Sequence, residues 1–139
     1  MSGSARAPLV LILVGSKSDE PKMAPALEML DGANVPYEFV VSSAHRDPDR
    51  TADLARNAKS RGFRVIIAGA GLSAALPGAV SALTELPVIG VPFASGPLNG
   101  LDALFAIAQL PSGVPVGTVG IDNAKNAAAL AIRILKLSP

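Results

Sequence analysis

The only histidine of the chain, His45, stands between two small residues and an arginine in the segment SSAHRDPDR, residues 42–50. An imidazole gains and loses a proton near neutral pH, so His45 is the side chain best suited to general acid–base chemistry. Arg46 follows it, and a planar guanidinium binds phosphate through paired hydrogen bonds. The alternative interpretation is an incidental, solvated loop histidine. The surrounding segments decide between the two interpretations.

A second polar segment, GSKSD at residues 15–19, follows an apolar run and opens a predicted helix. Ser16 and Ser18 offer hydroxyl groups beside the free N–H groups at the positive end of the helix dipole, a combination that suits a phosphate. The spacing of a Walker A loop is missing, and so are the second and third glycines of the dinucleotide-binding fingerprint. The alternative is ordinary helix capping by Ser18 or Asp19.

Two further segments are rich in small residues: AGAGLSAALPG at residues 68–78 and FASGPLNG at residues 93–100. Small residues let a ligand approach the backbone closely, although they also serve tight packing of a helix on a sheet. The second segment is long enough to form a wall or lid. Ser95 lacks the nucleophile-elbow pattern and His45 is the only base for a triad, so we reject serine hydrolysis.

Composition narrows the class of protein. A length of 139 residues suits one domain, and we expect residues 9–139 to form it behind a flexible tail at residues 1–8. The chain has no cysteine and a single histidine, so we expect no metal site. Its net charge of +1 comes without a basic cluster, so we expect no nucleic-acid partner.

The chain is apolar for its size. Half of its residues are hydrophobic and 17% are charged, and the mean hydropathy is +0.43. A small monomer has too much surface for such a composition, so we expect apolar area to be buried in a homo-oligomer. No apolar run approaches the roughly 20 residues of a membrane span, and the N-terminus lacks the apolar core of a signal peptide. We therefore expect a soluble, cytoplasmic protein without a membrane partner.

Short apolar runs alternate with helix-type segments along the chain. The runs predict strands at residues 9–14, 37–41, 65–68, 88–91 and 116–121. The segments that follow predict helices at residues 18–32, 47–62, 76–84, 100–110 and 124–137. Five β–α pairs predict an α/β fold with a parallel sheet covered by helices on both faces. Ligands of such sheets bind beyond the carboxyl ends of the strands, where GSKSD and SSAHR are expected.

Single residues set further expectations for the helices. Pro21 fits the first turn of the first helix, whereas Pro25 lies deeper and should distort it. Asp47 is placed to cap the second helix, with Pro48 at its first position and Gly62 as its stop. The closing helix carries only three charges. It is either an alanine-rich helix of low solubility or a contact in an oligomer.

Six blocks, in order along the chain, resemble one family. They are GSKSD, SAHRDP, AGAGLSAALPG, PVIGVP, GLDALFAIAQLPSGVPVGTVGI and NAKNAAALAIRIL. The family is that of the N5-carboxyaminoimidazole ribonucleotide mutases of purine synthesis, the PurE family in its class I form, and the resemblance covers nearly the whole chain. It implies a flavodoxin-like three-layer α/β/α sandwich with a five-stranded parallel sheet, a homo-octamer, and no metal or organic cofactor.

The resemblance also implies a reaction and a set of site residues. The family moves a carboxylate from an exocyclic nitrogen of the substrate to ring carbon C4, by decarboxylation to aminoimidazole ribonucleotide and recarboxylation with the retained CO2. His45 matches the acid–base histidine of the family. The substrate-binding residues implied in this chain are Ser16, Ser18, Asp19, Ser43, Ala44, Arg46, Ala70, Gly71, Ser73 and Leu76.

Chemistry divides this set in two. The serines and Arg46 suit the phosphate, whereas Asp19, as a hydrogen-bond acceptor, suits ribose hydroxyls. The resemblance implies that Ala70, Gly71 and Leu76 wall the pocket for the base and CO2 and keep water from the free CO2.

The chain departs from the family pattern at several positions. Asp47 replaces the usual threonine of SAHRTP, so an extra carboxylate near the phosphate needs solvent or Arg46 to offset it. Ala75 replaces a second histidine that mutases usually carry. Ser73 resembles the related aminoimidazole ribonucleotide carboxylases, which take CO2 directly, but those carry lysine in place of Arg46. Many members also continue beyond residue 139 into a helix that packs on a neighbouring subunit.

Three alternatives to the mutase stay open. The nearest is the direct carboxylase, which differs in how CO2 reaches the site. A more distant one is the carboxylase of nickel-pincer cofactor synthesis, which shares the later Gly/Ala-rich blocks; GSKSD and SAHR argue against it. The third is a non-catalytic nucleotide-binding module, suggested by Ala75, against which His45 and Arg46 argue.

Overall fold

The computed structural model describes residues 7–138, in which five strands form one sheet. The strands are β1 (Val10–Val14), β2 (Tyr37–Val41), β3 (Val65–Gly71), β4 (Val88–Phe93) and β5 (Gly117–Thr118). Their order is β2-β1-β3-β4-β5, and every pairing is parallel. This is the strand order of the flavodoxin-like fold, so the predicted fold class is confirmed.

Helices connect the strands and cover both faces of the sheet. They are α1 (Glu20–Gly32), α2 (Pro48–Ala58), α3 (Leu76–Ser81), α4 (Leu101–Ala108) and α5 (Ala124–Leu135). A 3₁₀ turn at Lys17–Asp19 precedes α1. The alternation of strands and helices along the chain therefore agrees with the sequence pattern.

β1 is buried on both faces because each side of the sheet has its own helix layer. Val10, Ile12 and Val14 pack in the layer that contains α1 and α5. Leu11 and Leu13 pack in the layer that contains α2, α3 and α4. All five side chains are fully buried. The continuous apolar run of β1 thus serves two hydrophobic layers.

The closing helix α5 packs against α1 and the sheet. Its fully buried positions are Ala124, Ala127, Ala128 and Ala131. The apolar character of α5 therefore has an explanation within the chain, and an oligomer contact is not required to account for it. Exposed large apolar side chains lie on α4 and in the loop before it, at Leu98, Leu101 and Phe105, and also at Leu72, Leu130 and Leu137.

The structure corrects several predicted bounds. The strand expected at residues 116–121 is only two residues long, because it pairs at the sheet edge with Ile89 and Gly90 alone. α2 ends at Ala58, and the chain leaves it through turns that reach Gly62, whose φ of +98° suits glycine. α3 also ends earlier than expected, whereas β3 and β4 run two or three residues further than their apolar runs suggest.

α1 continues through Pro25 without interruption, so the expected distortion does not break the helix. A proline in a helix interior removes one backbone hydrogen bond. Met23, Ala26 and Leu30 of the same helix are fully buried in the core. We attribute the continuity of α1 to this packing, because tertiary contacts supply most of the stability of a helix in a protein.

Part of the predicted tail and the last residue of the predicted domain, residues 1–6 and 139, lie outside the described residues. Ala7 and Pro8 lead into β1 without regular secondary structure. Across residues 7–138, the helices are all too short or too polar to span a lipid bilayer.

Candidate active site

The carboxyl ends of β1, β2 and β3 lie side by side at one edge of the sheet. Val14, the last residue of β1, pairs with Val41 of β2 and with Gly69 of β3. The direction of strand order reverses between β1 and β3, and open α/β sheets bind ligands in the crevice at such a reversal. The fold therefore places the loops after these three strands around one potential ligand site.

A cleft of about 430 Å³ opens at this point. Every site residue predicted from the sequence lies in its lining. The loop after β1 contributes Ser16, Ser18 and Asp19, the loop after β2 contributes Ser43, Ala44, His45 and Arg46, and the segment from β3 into α3 contributes Ala70, Gly71, Ser73 and Leu76. The other lining residues are Gly15, Leu72, Ala75 and Ser95.

The hydroxyl groups of the first loop lie close together. Ser16 Oγ and Ser18 Oγ are 2.9 Å apart, and Ser16 Oγ also accepts the Ser18 N–H at 3.3 Å. Ser16 therefore caps the 3₁₀ turn. Asp19 occupies the N-cap position of α1 but makes no capping hydrogen bond with its side chain. We considered Ser18 or Asp19 as the cap, but Ser16 caps the turn. The Asp19 carboxylate is therefore available to a ligand in the cleft.

The Asp19 carboxyl group is partly buried at the N-terminus of α1. Burial raises the pKa of this carboxyl group above its usual range, and the positive charge of Lys22 opposes the rise. Loss of hydration makes the ionised form more costly than in water, so a hydrogen-bond donor from a ligand would relieve that cost. This environment favours Asp19 as an acceptor for hydroxyl groups.

A turn centred on Ser43 presents His45 and Arg46. Ser43 Oγ accepts the backbone N–H groups of His45 at 3.2 Å and of Arg46 at 3.0 Å. Because those bonds use only acceptor sites, the Ser43 hydroxyl proton stays available to donate to a ligand oxygen. His45 and Arg46 are exposed, and within residues 7–138 neither side chain has an internal hydrogen bond or ion pair. Both are therefore free to meet a ligand.

Small residues at the end of β3 form the opposite wall. A Cβ atom on Gly71 would lie 3.2 Å from the Phe93 carbonyl oxygen and 3.3 Å from Ser95 Cβ. A side chain at position 71 would force the Phe93 carbonyl group or Ser95 to shift by a few tenths of an ångström, so glycine favours the close approach of the loop after β4 to the β3 backbone. This close approach brings Ser95 into the lining.

The peptide before Ser95 is held from both sides. The Ala94 N–H donates to Asp122 Oδ1 at 2.9 Å, and Lys22 Nζ donates to the Ala94 carbonyl oxygen at 2.8 Å. Lys22 Nζ also lies 5.6 Å from the centre of the Phe93 ring. Sequence reasoning missed Lys22 and Asp122, because each is far from Ala94 along the chain and no local pattern marks the contacts.

Leu72 is a third residue that the sequence analysis missed. It has a φ of +50°, a left-handed conformation that is costly for a branched side chain. A Cβ atom on Gly96 would lie 2.7 Å from Leu72 Cδ2, so the leucine lies against the loop that follows β4. The side chain is 48% exposed and lines the cleft. Positive φ at a leucine was not detectable from the sequence.

Two positions that depart from the family pattern, Ala75 and Asp47, differ in whether they line the cleft. Ala75 lies in the lining, so the place of the second family histidine does face the ligand site. Asp47 is not in the lining, and its side chain makes no capping bond to α2, although it stands at the predicted N-cap position. The extra carboxylate of Asp47 is thus outside the cleft.

Other grooves are less suited to catalysis. A groove of about 640 Å³ between α2 and the end of α3 carries Arg56 and Lys59, but Lys59 is paired with Glu85 at 3.1 Å on an exposed surface. No group of three or more carboxylate or imidazole side chains is gathered as a possible metal site among residues 7–138. The expectation of a reaction without metal or cofactor stays a prediction.

The fold and the cleft together indicate a class of protein. A flavodoxin-like sheet carries hydroxyl groups, an arginine and one imidazole at its ligand-binding edge, which is the arrangement of a phosphate-binding α/β protein with an acid–base group.

Comparisons with known proteins narrow this class. A family model described as AIR carboxylase matches residues 9–139. An N5-carboxyaminoimidazole ribonucleotide mutase from Pyrococcus horikoshii is 56% identical over 135 residues, which cover 97% of this chain and 76% of the relative. A mutase of the same description from Thermotoga maritima is 56% identical over 128 residues, covering 92% of this chain and 75% of that protein.

Two further relatives extend the comparison. A phosphoribosylaminoimidazole carboxylase from Schizosaccharomyces pombe is 57% identical over 128 residues, which cover 92% of this chain but only 23% of the longer protein. The crystal structure of Treponema denticola PurE superposes with a TM-score of 0.85 at 30% identity, covering 95% of this chain and 82% of that one. The chain therefore belongs to the AIR carboxylase family, as the six sequence blocks predicted.

Proposed function

We propose that the chain converts N5-carboxyaminoimidazole ribonucleotide to 4-carboxy-5-aminoimidazole ribonucleotide in de novo purine biosynthesis. Relatives described as mutases for this substrate share more than half of their aligned residues with it over most of its length. The observation that carries the proposal is the cleft itself, where His45, Arg46 and three serines come together from loops after β1 and β2.

The substrate phosphate belongs with the hydroxyl groups of Ser16, Ser18 and Ser43 and with the Arg46 guanidinium. Hydroxyl donors and a guanidinium fork suit phosphate oxygens. Asp19 has no internal hydrogen-bond partner for its carboxylate within the described residues and takes the ribose hydroxyl groups. These contacts anchor the nucleotide and leave the imidazole base to the small-residue wall.

The reaction has two steps. A carbon–nitrogen bond breaks in the first step and a carbon–carbon bond forms in the second, and one side chain transfers the proton in both. The bond between the exocyclic nitrogen and its carboxylate breaks, which releases CO2 and leaves the amine to take a proton. Ring carbon C4 then attacks that CO2, and C4 carries hydrogen and carboxylate together until a base removes the proton. His45 donates the first proton and removes the second, so the imidazole returns to its starting state.

The reaction also requires that the released CO2 stays enclosed in the cleft. Ala70 and Leu76 are buried, and Gly71 lies against the loop that follows β4. Small apolar walls exclude water and keep free CO2 next to C4. Retention of the released CO2 separates a mutase from an enzyme that takes CO2 from solution.

Direct carboxylation of aminoimidazole ribonucleotide is the second candidate. Ser73 favours it, because this residue lines the cleft and resembles the carboxylase pattern at that position. Arg46 favours the mutase, since the carboxylases carry lysine there. The two reactions differ in one observable property, the dependence of turnover on dissolved CO2.

A substrate assay separates the candidates. Purified protein is incubated with N5-carboxyaminoimidazole ribonucleotide or with aminoimidazole ribonucleotide, with and without bicarbonate, and the 4-carboxylated product is followed. The proposal predicts rapid product formation from the carbamate without bicarbonate. Product formed only from aminoimidazole ribonucleotide and only with bicarbonate would assign the carboxylase. No product under any condition would favour a non-catalytic module.

We also propose a homo-oligomer, an octamer as in the resembled family, located in the cytoplasm. Leu98, Leu101 and Phe105 are 55%, 49% and 58% exposed on α4 and the loop before it. Three exposed large apolar side chains close together in sequence, two of them on one short helix, indicate a contact surface. The cytoplasmic location remains a prediction from the sequence and follows the pathway of the proposed substrate.

A further inference from the structure

Two buried hydroxyl groups touch each other behind the His45 turn. Ser42 and Thr51 are only 2% and 3% exposed, and apart from Ser81 they are the buried polar side chains of residues 7–138. Ser42 Oγ and Thr51 Oγ1 are 2.7 Å apart. Neither belongs to the cleft lining, and the proposed function gives neither of them a role.

The direction of the hydrogen bonds follows from the number of protons. Thr51 Oγ1 donates its single proton to the Ser43 carbonyl oxygen at 3.0 Å. In the bond between the two hydroxyl groups, Ser42 must therefore donate and Thr51 must accept. The result is a one-way chain from Ser42 through Thr51 to the carbonyl group of Ser43.

This chain ends on the residue that forms the His45 turn. The Ser43 carbonyl oxygen accepts both the Thr51 hydroxyl and the Asp47 N–H at 3.0 Å. The Ser43 side chain, at the other end of the same residue, accepts the N–H groups of His45 and Arg46. Thr51 on α2 thus fixes the Ser43 peptide, and the Ser43 side chain in turn holds the backbone of His45 and Arg46.

A second anchor ties the turn to the neighbouring loop. The Ser42 N–H donates to the Val14 carbonyl oxygen at 2.9 Å, directly before the loop that carries Ser16. The hydroxyl chain therefore holds the His45 turn against α2, and the Ser42 backbone holds it against the end of β1. Asp47 makes no side-chain cap at the start of α2. The Thr51 hydroxyl links that helix to the turn itself, whereas Arg50 of the same helix donates to the Val41 carbonyl oxygen just before the turn, at 2.7 Å.

Stability alone does not explain a pair of hydroxyl groups at this depth. An apolar pair of similar shape would be nearly neutral in stability, because buried hydroxyl groups gain little beyond what they lose in hydration. What the hydroxyl pair adds is direction, since each bond has one geometry and one donor. A directed link is useful where a side chain must be held in one place.

We propose that Thr51, with Ser42 as its donor, is a positioning residue that holds His45 in place for proton transfer. The expected effect of Thr51 on turnover rests on the proposed function. The expected effect of Thr51 on the placement of the His45 turn does not. Thr51 touches no substrate, and its effect is exerted through the Ser43 peptide. The matched variants are Thr51→Val, which keeps the shape and removes the hydroxyl group, and Thr51→Ser, which keeps the hydroxyl group.

The first measurement uses the fact that the chain contains one histidine. Untagged protein labelled with histidine carrying ¹³C at Cε1 gives a single imidazole signal, which is recorded at fixed pH with and without inorganic phosphate. Thr51→Val is expected to move or broaden this signal, and Thr51→Ser to restore it. Ser81→Ala is the control, because it removes another buried hydroxyl bond, to the Pro115 carbonyl oxygen at 2.6 Å, far from the turn. It should lower thermal stability and leave the signal unchanged.

The second measurement is the kinetics of the carbamate substrate. Misplaced catalytic groups typically cost on the order of 10²-fold, so Thr51→Val is expected to lower kcat by roughly 10- to 100-fold with little change in KM and to alter the pH profile. Thr51→Ser should restore both. If Thr51→Val does not fold, the same two measurements are made on Ser42→Ala, which removes only the donor to Thr51.

The outcomes separate the two proposals. An imidazole signal and a turnover that are unchanged in Thr51→Val and Ser42→Ala would overturn the positioning role. A change in both that Thr51→Ser fails to restore would also overturn it, because loss of packing would then be the cause. A wild-type protein without turnover would contradict the proposed function, and the imidazole signal alone would then decide the inference about Thr51.

Discussion

Adjacent side chains of one turn are suited to different parts of one substrate. A guanidinium is a permanent cation suited to a phosphate, whereas an imidazole can both donate and accept a proton. The backbone N–H groups of His45 and Arg46 share one acceptor, Ser43 Oγ, so the turn fixes their relative placement. The turn therefore presents, side by side, the two side-chain types that the proposed reaction requires.

Arg46→Ala is expected to weaken binding of aminoimidazole ribonucleotide far more than binding of the corresponding nucleoside. A hydrogen bond to a charged group contributes about 1.5–3 kcal/mol, which corresponds to roughly 10- to 150-fold in affinity. Calorimetry with both ligands measures the difference. Arg56→Ala, an exposed arginine outside the cleft, is the control. Equal losses for nucleotide and nucleoside would show that Arg46 does not bind the phosphate.

Asp19→Asn is expected to stabilise the free protein at neutral pH by at most a few degrees in Tm. Burial raises the pKa of Asp19, so the folded state holds the proton more tightly than the unfolded state. Wild-type stability from this group is therefore greatest below the unfolded value of 3.8 and is lost as the pH rises through the higher folded value. Thermal melts between pH 3 and pH 7 should show the two proteins diverging as the pH rises. A stability advantage of the Asp19→Asn variant that is largest at pH 3 would contradict the assignment.

At the scale of elements, the cleft depends on contacts that bring the ends of four strands together. α1 is connected to the loop after β4 through Lys22, which reaches the Ala94 carbonyl oxygen across 72 positions of sequence. Asp122, near the start of α5, holds the N–H of the same residue. The peptide before Ser95 is therefore held by Lys22 of α1 and by Asp122 in the turn before α5, although neither residue lines the cleft.

Lys22→Met is expected to destabilise the fold by about 1–2 kcal/mol and to raise the KM for substrate. The variant keeps the aliphatic stem near Phe93 and removes the charged donor to Ala94. It also removes the positive charge that opposes the raised pKa of Asp19. Urea unfolding and steady-state kinetics measure the two effects, with Lys59→Met as an exposed control. Unchanged KM and stability would show that the clamp on Ala94 is dispensable.

Local patterns predicted the strands, the fold class and the position of GSKSD and SSAHR at the cleft, because apolar runs and strand-end loops are properties of short segments. The full set of predicted cleft residues came from the family resemblance. The same patterns could not predict the Lys22–Ala94–Asp122 contacts or the hydroxyl chain from Ser42 to Ser43, since these depend on which elements become neighbours. Strand ends were also hard to place. β3 continues through AGAG because small residues fit an extended strand as well as a loop, and β5 stops early because only β4 pairs with it.

At the scale of the whole molecule, the distribution of apolar surface differs from the sequence-based expectation. The closing helix buries its alanine face inside the chain, so a charge at Ala128 would disrupt folding before it could test assembly. α4 exposes larger side chains than α5 does. The expected subunit contact is therefore better tested on α4.

Phe105→Glu is expected to dissociate the homo-oligomer while leaving the subunit folded, because Phe105 is 58% exposed and contributes little to the core. Light scattering gives the mass, circular dichroism checks the fold, and turnover should fall together with the mass. Leu130→Glu on α5, where the leucine is 38% exposed, tests the other candidate helix. A wild-type protein that is monomeric at micromolar concentration and fully active would refute the proposed assembly.

Turnover of N5-carboxyaminoimidazole ribonucleotide by the His45→Asn variant tests the central claim most directly. The account predicts a fall in kcat of roughly 10²- to 10⁴-fold, with nucleotide affinity and thermal stability close to those of the wild type, because the lost function is proton transfer. The chain has no second imidazole to substitute. Near-normal turnover in His45→Asn, with the variant folded and substrate bound, would contradict the account.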